Sequence, residues 1–294
     1  MKQKYKGIIC IVTSAFFFAL MNMFVRMAGD LPVFQKSFFR NLVAVVFALI
    51  VLMKDKPKIK MDKVSWMGII LRSFFGTVGV LCNFYAVDHM MLADASILNK
   101  LAPFFALLMG VLILKEKITP FQVSAVVVAF MGALLVIKPG SGIVNTAAIL
   151  GVLGGCAAGT AYTMVRFLGK RGVAGPFIVF FFSAFSCVTI APLMLANYKP
   201  MTTSQLLCLL MAGLTAAAAQ FAVTAAYCYA PAREISVFDY SQIIFAAVLG
   251  FFVFHQIPDL WSWIGYGIIM LTALANFWYN NHHAESFQPA KAVK

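Results

Sequence analysis

Apolar residues run through this chain in long blocks rather than in the alternating or one-sided patterns of soluble strands and helices. Ten blocks can be counted, near residues 7–28, 33–53, 65–87, 92–114, 119–137, 146–168, 175–197, 204–229, 234–254 and 260–280. Each approaches the roughly 20 residues that a helix needs to cross the hydrocarbon of a bilayer. Lipid offers no partner to a backbone amide, so each block predicts a helix, which pairs its amides internally. Links between the blocks are short. The first block follows Met1-Lys2-Gln3-Lys4-Tyr5-Lys6, which mimics the start of a secretory leader. Its apolar run is too long, however, and no small-residue cleavage site closes it, so the pattern predicts a retained span.

Composition agrees with that reading. Of 294 residues, 62% are hydrophobic and 11% charged, against roughly 45–50% and about 25% in soluble domains. A soluble globular protein and a disordered chain are excluded, and so is a small disulfide scaffold, because the six cysteines are scattered and all fall inside predicted spans. There a thiol acts as a small apolar group, and no disulfide is expected. The balance of 23 Lys and Arg against 10 Asp and Glu gives a net charge of +13. A nucleic-acid partner would need a basic face on a soluble fold and is not expected. With the N-terminus inside, sixteen of the cations fall at inner span ends, among them Lys2, Lys54, Lys115, Lys170 and Arg233. Five lie at outer ends: Arg26, Lys36, Arg40, Lys138 and Lys199. Cations in short loops stay cytoplasmic, which predicts both termini in the cytoplasm of a prokaryotic inner or plasma membrane.

Sliding the chain against itself by 140 residues aligns its halves without a gap. Val25-Arg26 meets Val165-Arg166, Ser96 meets Ser236, Phe105-Ala106 meets Phe245-Ala246, and Gly110 meets Gly250. The fold class expected is therefore an all-α membrane protein of ten transmembrane helices arranged as two inverted five-helix repeats. An odd number of spans makes the second half enter from the opposite side, a plan common in secondary transporters. The first repeat spans 1–138, a linker containing Pro139-Gly140-Ser141-Gly142 covers 139–145, the second repeat spans 146–280, and a cytoplasmic tail covers 281–294.

The chain resembles the drug/metabolite transporter superfamily, specifically its ten-helix members with two EamA-type repeats. The resemblance covers about residues 7–280. It rests on Phe84-Tyr85-Ala86, Ala93-Asp94-Ala95-Ser96, Pro103-Phe104 with Gly110, Leu114-Lys115-Glu116-Lys117-Ile118-Thr119 and Tyr229-Ala230-Pro231-Ala232. The second half departs from the pattern with His255-Gln256-Ile257-Pro258, which leaves Glu116 without a symmetric partner. The resemblance implies a central cavity lined mainly by the first, third, fourth, sixth, eighth and ninth helices, working by alternating access.

Charged residues at mid-bilayer are costly and usually face a cavity or a partner. Lys100 lies about eight residues, roughly 12 Å, into the fourth span. It either lines a cavity or belongs to a structural ion pair or snorkel. The 140-residue offset places Asn99 and Lys100 opposite Asp239 and Tyr240 in the ninth span. These four residues, with Gln242 on the next turn, are expected to meet at the repeat interface. They form either a substrate site or a staple between the halves, and Asp239 is the candidate for carrying a coupling proton or answering another ion. Asn22 and its equivalent Tyr162 are expected to line the cavity. The matched Arg26 and Arg166 read as headgroup anchors, with gating as the alternative, and Asp94 reads as a helix-dipole acid. Arg72 is either cavity-lining or an anchor; Asn83 and Gln220 complete the candidate set. Gly151, Gly155 and Gly159 read as close-packing positions.

Catalysis finds little support. No metal-ligand spacing, nucleotide-binding glycine loop or cofactor motif is present, so no catalytic residue, metal or cofactor is expected. A membrane enzyme acting on lipid would need carboxylates or histidines clustered at one face. The expected function is secondary transport of a small polar metabolite, an amino-acid-like zwitterion or an organic anion. The alternatives are export of cationic or amphipathic drugs, or a membrane-embedded receptor or assembly protein.

Overall fold

The computed structural model describes residues 2–55, 61–114, 118–138, 146–229 and 236–282. Glu116, the 139–145 linker, Pro231 and the tail beyond His282 lie outside them. The described residues form helices and no strands. The helices are α1 (Lys2–Met27), α2 (Val33–Asp55), α3 (Lys63–His89), α4 (Leu92–Asn99), α5 (Ala102–Leu114), α6 (Pro120–Ile137), α7 (Thr146–Lys170), α8 (Gly175–Ala196), α9 (Thr203–Tyr229), α10 (Ser241–Phe254) and α11 (Leu260–His282), with a 3-10 turn at Ser236–Tyr240 before α10.

Ten stretches among the described residues are long and apolar enough to cross a membrane. The fourth, Leu92–Ile113, is split into α4 and α5, and the ninth, Val237–Phe254, combines the 3-10 turn with α10. The sequence pattern predicts both as unbroken helices, and the structure corrects this. Pro103 supplies the reason in the fourth span. It has no N–H to give the Asn99 carbonyl, and its ring crowds that carbonyl, so the helix restarts at Ala102.

No link between spans exceeds eight residues, too short to recross about 30 Å of hydrocarbon, so successive spans alternate in direction. The near face is the one on which α1 begins, and the far face is the one it reaches. Packing follows a rule: α3 lies on α7 as α9 lies on α1, α5 on α7 as α10 on α1, and α2 on α9 as α8 on α3. Three further close pairs, α2 with α8, α6 with α11 and α4 with α10, join equivalent spans of the two halves.

Lipid tails are as apolar as leucine, so helices associate through close packing and small residues. A Cβ on Gly155 would stand 2.8 Å from the Leu98 carbonyl oxygen, and one on Gly159 would stand 2.5 Å from that of Ala102. These glycines let α7 lie against the α4–α5 break, the packing role read from their spacing. Helix starts are fixed locally: Asp62 accepts the Ser65 N–H, and Thr119 with Gln122 forms a capping box for α6.

Candidate functional site

The two interrupted spans meet at their interruptions. Lys100 occupies the α4–α5 break and is 7% exposed. Its Nζ lies 2.5 Å from Asp239 Oδ2, and the Tyr240 hydroxyl donates to the Lys100 carbonyl oxygen at 3.1 Å. That carbonyl sits where the helix ladder is interrupted, so the tyrosine serves a group the break leaves over. The 140-residue equivalence pairs Lys100 with Tyr240 and Asn99 with Asp239, and both bonds therefore cross between corresponding points of the two halves. Asp239 Oδ1 and Ser241 Oγ are buried without a partner among the described residues. Gln242 is buried in the first turn of α10, and Asn99 is half-buried beside Lys100.

The remaining candidates surround this centre unevenly. Asn83 Nδ2 donates to Asn22 Oδ1 at 3.2 Å, joining α3 to α1, while Asn83 Oδ1 has no partner among the described residues. Tyr162 is 49% exposed although it lies sixteen residues along α7, and it is within charge–charge range of Asp239, Arg72 and Arg40. Those charged neighbours place it on the side of α7 that faces the interior of the bundle. Gln220 lines a small enclosed cavity between α2, α8 and α9, together with Arg40, Phe182 and Ser183.

Arg72 and Arg40 are each 5% exposed. The Arg72 guanidinium lies 3.8 Å from the centre of the Phe182 ring and that of Arg40 lies 5.9 Å from it. Gly76, one turn after Arg72, has no Cβ to collide with Arg72 Nη1 or the Phe182 ring. Arg40 Nη1 donates to Asn41 Oδ1 at 2.5 Å, but among the described residues its Nε has no partner, and Arg72 lacks partners at Nε and Nη1. No carboxylate among the described residues lies within ion-pair distance of either arginine. Insertion scales put a central arginine at about 2.5–3.5 kcal/mol. One desolvated cation–π contact returns about 2 kcal/mol. A single ring facing two guanidiniums therefore leaves a deficit.

The far face is tied together. Lys36, fully buried, pairs with Asp88 at 2.6 Å, and Lys138 pairs with Asp259 at 2.7 Å. Asp94 accepts from the Tyr266 hydroxyl at 2.6 Å, the Leu92 N–H donates to Gln256 Oε1 at 3.0 Å, and Gln35 exchanges two bonds with the Lys199 backbone. Arg26 donates to the carbonyls of Val87 and Met90 and lies over the Phe254 ring. It closes helix ends rather than reaching headgroups, which corrects the anchor reading. Asp94 likewise has a tyrosine partner beyond the helix dipole. The hydrogen bond from Lys138 holds the Asp259 carboxyl below the usual carboxylate range. On the near face Arg171 pairs with Asp62 at 2.8 Å.

The sequence profile of the EamA-like transporter family matches this chain twice, over residues 5–138 and 145–278. The chain belongs to the EamA-like transporter family. The two matches begin 140 residues apart, the interval at which the halves align. Among its relatives, the pseudopaline exporter of Pseudomonas aeruginosa is 30% identical over 92% of this chain and 95% of its own. A riboflavin transporter of Brucella anthropi is 25% identical over 87% of this chain and 93% of its own. A solved crystal structure superposes with a TM-score of 0.66 over 94% of this chain and 98% of that one, at 14% identity, which shows a shared fold.

In this EamA-like transporter the structure brings Lys100, Asp239 and Tyr240 together, pairs Asn22 with Asn83, and sets Tyr162 among Asp239 and the two arginines. Arg40, Lys36, Asp88 and Phe182 escaped the sequence reading. Arg40 and Lys36 were counted with the outer ends because they lie near the start of α2. Their signal was a helical one: Lys36 and Arg40 are four residues apart, on one face of a span that otherwise carries charge only at its C-terminal end.

Proposed function

We propose that this chain is a secondary transporter that moves a small polar metabolite, an amino-acid-like zwitterion or an organic anion, by alternating access. The observation carrying this reading is the Lys100–Asp239 pair at two equivalent helix interruptions. Discontinuous helices with polar groups at the repeat interface are how many secondary transporters build a midplane site. A buried ion pair is weak evidence for stability, because well-packed apolar residues often do as well. A pair that a cargo or a proton can open, by contrast, gives a two-state element.

In this reading residues 1–138 and 146–280 are halves related by a twofold axis in the membrane plane, supported by alternating span direction, five spans per half and the exchange-symmetric packing. The excess of cations at near-face span ends supports placing both termini in the cytoplasm. The far-face network then holds the outer side shut, with the cavity reached from the near side past Tyr162. Cargo binds between Lys100 and Asp239, with Asn99, Tyr240, Gln242, Asn22 and Asn83 around it. The unpartnered Asp239 oxygen suits an ammonium group or a coupling proton.

Thermal unfolding of the purified protein against amino acids, nucleotides, organic acids and organic cations identifies the stabilising class by mass action. The ligand found is then followed in proteoliposomes. Lys100→Ala and Asp239→Asn are each expected to abolish flux in folded, inserted protein. Normal flux in both overturns the site. Stabilisation by cations alone overturns the zwitterion or anion reading and assigns the site to Asp239.

A further inference from the structure

Resting on the transporter reading, we propose that Arg40 and Arg72 form a carboxylate-binding subsite on the transport path, distinct from the Lys100–Asp239 pair. Two guanidiniums from α2 and α3 converge on one aromatic ring of α8, both more than nine-tenths buried. Among the described residues they leave three N–H-bearing atoms without acceptors, and no side-chain carboxylate there reaches them. Buried cations normally hold a counter-charge, and these two lie close enough to repel each other. The partner that this chemistry fits is an anion.

The surroundings define which kind. Asn41 orients Arg40, and in turn donates to Ser37 Oγ at 3.4 Å; Gly76 leaves room for Arg72 to lie on Phe182. Both heads are held by local groups rather than free to swing toward lipid headgroups. Planar guanidiniums present several N–H donors suited to the two oxygens of a carboxylate. Ser183 Oγ, also without a partner among the described residues, lines the same cavity as Arg40. Tyr162 lies within charge–charge range of both arginines and of Asp239, which connects this subsite to the central pair. A cargo with a carboxylate and an amine meets the arginines with the first and the free Asp239 oxygen with the second.

The test uses probes matched with and without a carboxylate, on the full-length protein in lipid nanodiscs at fixed ionic strength: L-alanine against L-alaninamide, L-glutamine against L-glutaminamide, and succinate against succinamide. Thermal unfolding is expected to report at least tenfold tighter binding of the carboxylate member, falling to parity in Arg40→Gln and in Arg72→Gln. Parity in the unaltered protein overturns the subsite, as does a preference that survives both substitutions. Ser183→Asp guards against misfolding of the arginine variants. Ser183 borders the cavity that Arg40 lines, so a carboxylate introduced there competes for the guanidinium N–H groups, and the melting temperature is expected to rise and the probe response to vanish. A lower melting temperature with the response intact overturns the proposal. Lys100→Ala separates the two readings: it is expected to lose flux and keep the carboxylate preference. Retained flux there defeats the central-site reading and leaves the arginine subsite to be judged on the probe pairs.

Discussion

Lys100 and Asp239 each lie in a span where an isolated charge costs about 2.5–3.5 kcal/mol on insertion scales, and each is made tolerable by the other. Removing one partner leaves the other buried and uncompensated, so Lys100→Ala and Asp239→Asn are expected to lower stability by about 3–5 kcal/mol, measured by thermal unfolding. Phe182→Leu removes the ring under both arginines, with an expected loss of about 2 kcal/mol by the same measurement and weaker binding of carboxylate ligands. At this scale the central cluster was legible because two polar pairs recur at one offset in otherwise apolar spans. The arginine pair was not. A residue seven positions into a span reads equally as an anchor or as a buried group until the partner helix is known, and Phe182 is one of 29 phenylalanines with nothing in its neighbours to single it out.

The broken fourth span is an element-scale feature whose signal, Pro103, stood in the sequence but was outweighed by unbroken hydropathy over 92–114. Hydropathy reports where a chain is apolar and is blind to whether its amides are paired. Pro103→Ala is expected to let α4 and α5 merge, drawing the Lys100 carbonyl into the helix ladder and away from Tyr240; the protein should remain folded while flux falls at least tenfold. Glycine positions give a paired check on packing. Gly159→Ala would drive a Cβ into the Ala102 carbonyl and Phe105, costing about 1–3 kcal/mol. Gly267→Ala, where nothing lies within 4 Å, is expected to be neutral or stabilising by up to about 1 kcal/mol in the same unfolding assay. In the ninth span the interruption has no proline at the position equivalent to Pro103, which is Ile243, and its short 3-10 turn left no trace in the residue pattern.

At the scale of the molecule, span number and span limits were readable to within a few residues because bilayer thickness imposes them. The far-face network was not, since its partners are up to 172 residues apart in sequence. Its outermost pair has a defined pH response. Asp259 is held below its ordinary value, so the stability it contributes is present above about pH 3.9 and is lost only as pH falls through the lowered value. The stability difference between the unaltered protein and Asp259→Asn is therefore expected to stay constant from pH 8 to pH 5; a difference that shrinks in that window contradicts the assignment. Alternating access requires that the central pair opens while the bundle stays folded, and one measurement separates that role from a staple. Lys100→Met with Asp239→Leu replaces the buried pair by apolar side chains and is expected to fold with unchanged or higher thermal stability. Flux of the stabilising ligand through this double variant in proteoliposomes is predicted to fall to background. Flux preserved at the level of the unaltered protein would show that the pair only joins the halves, and would contradict the account.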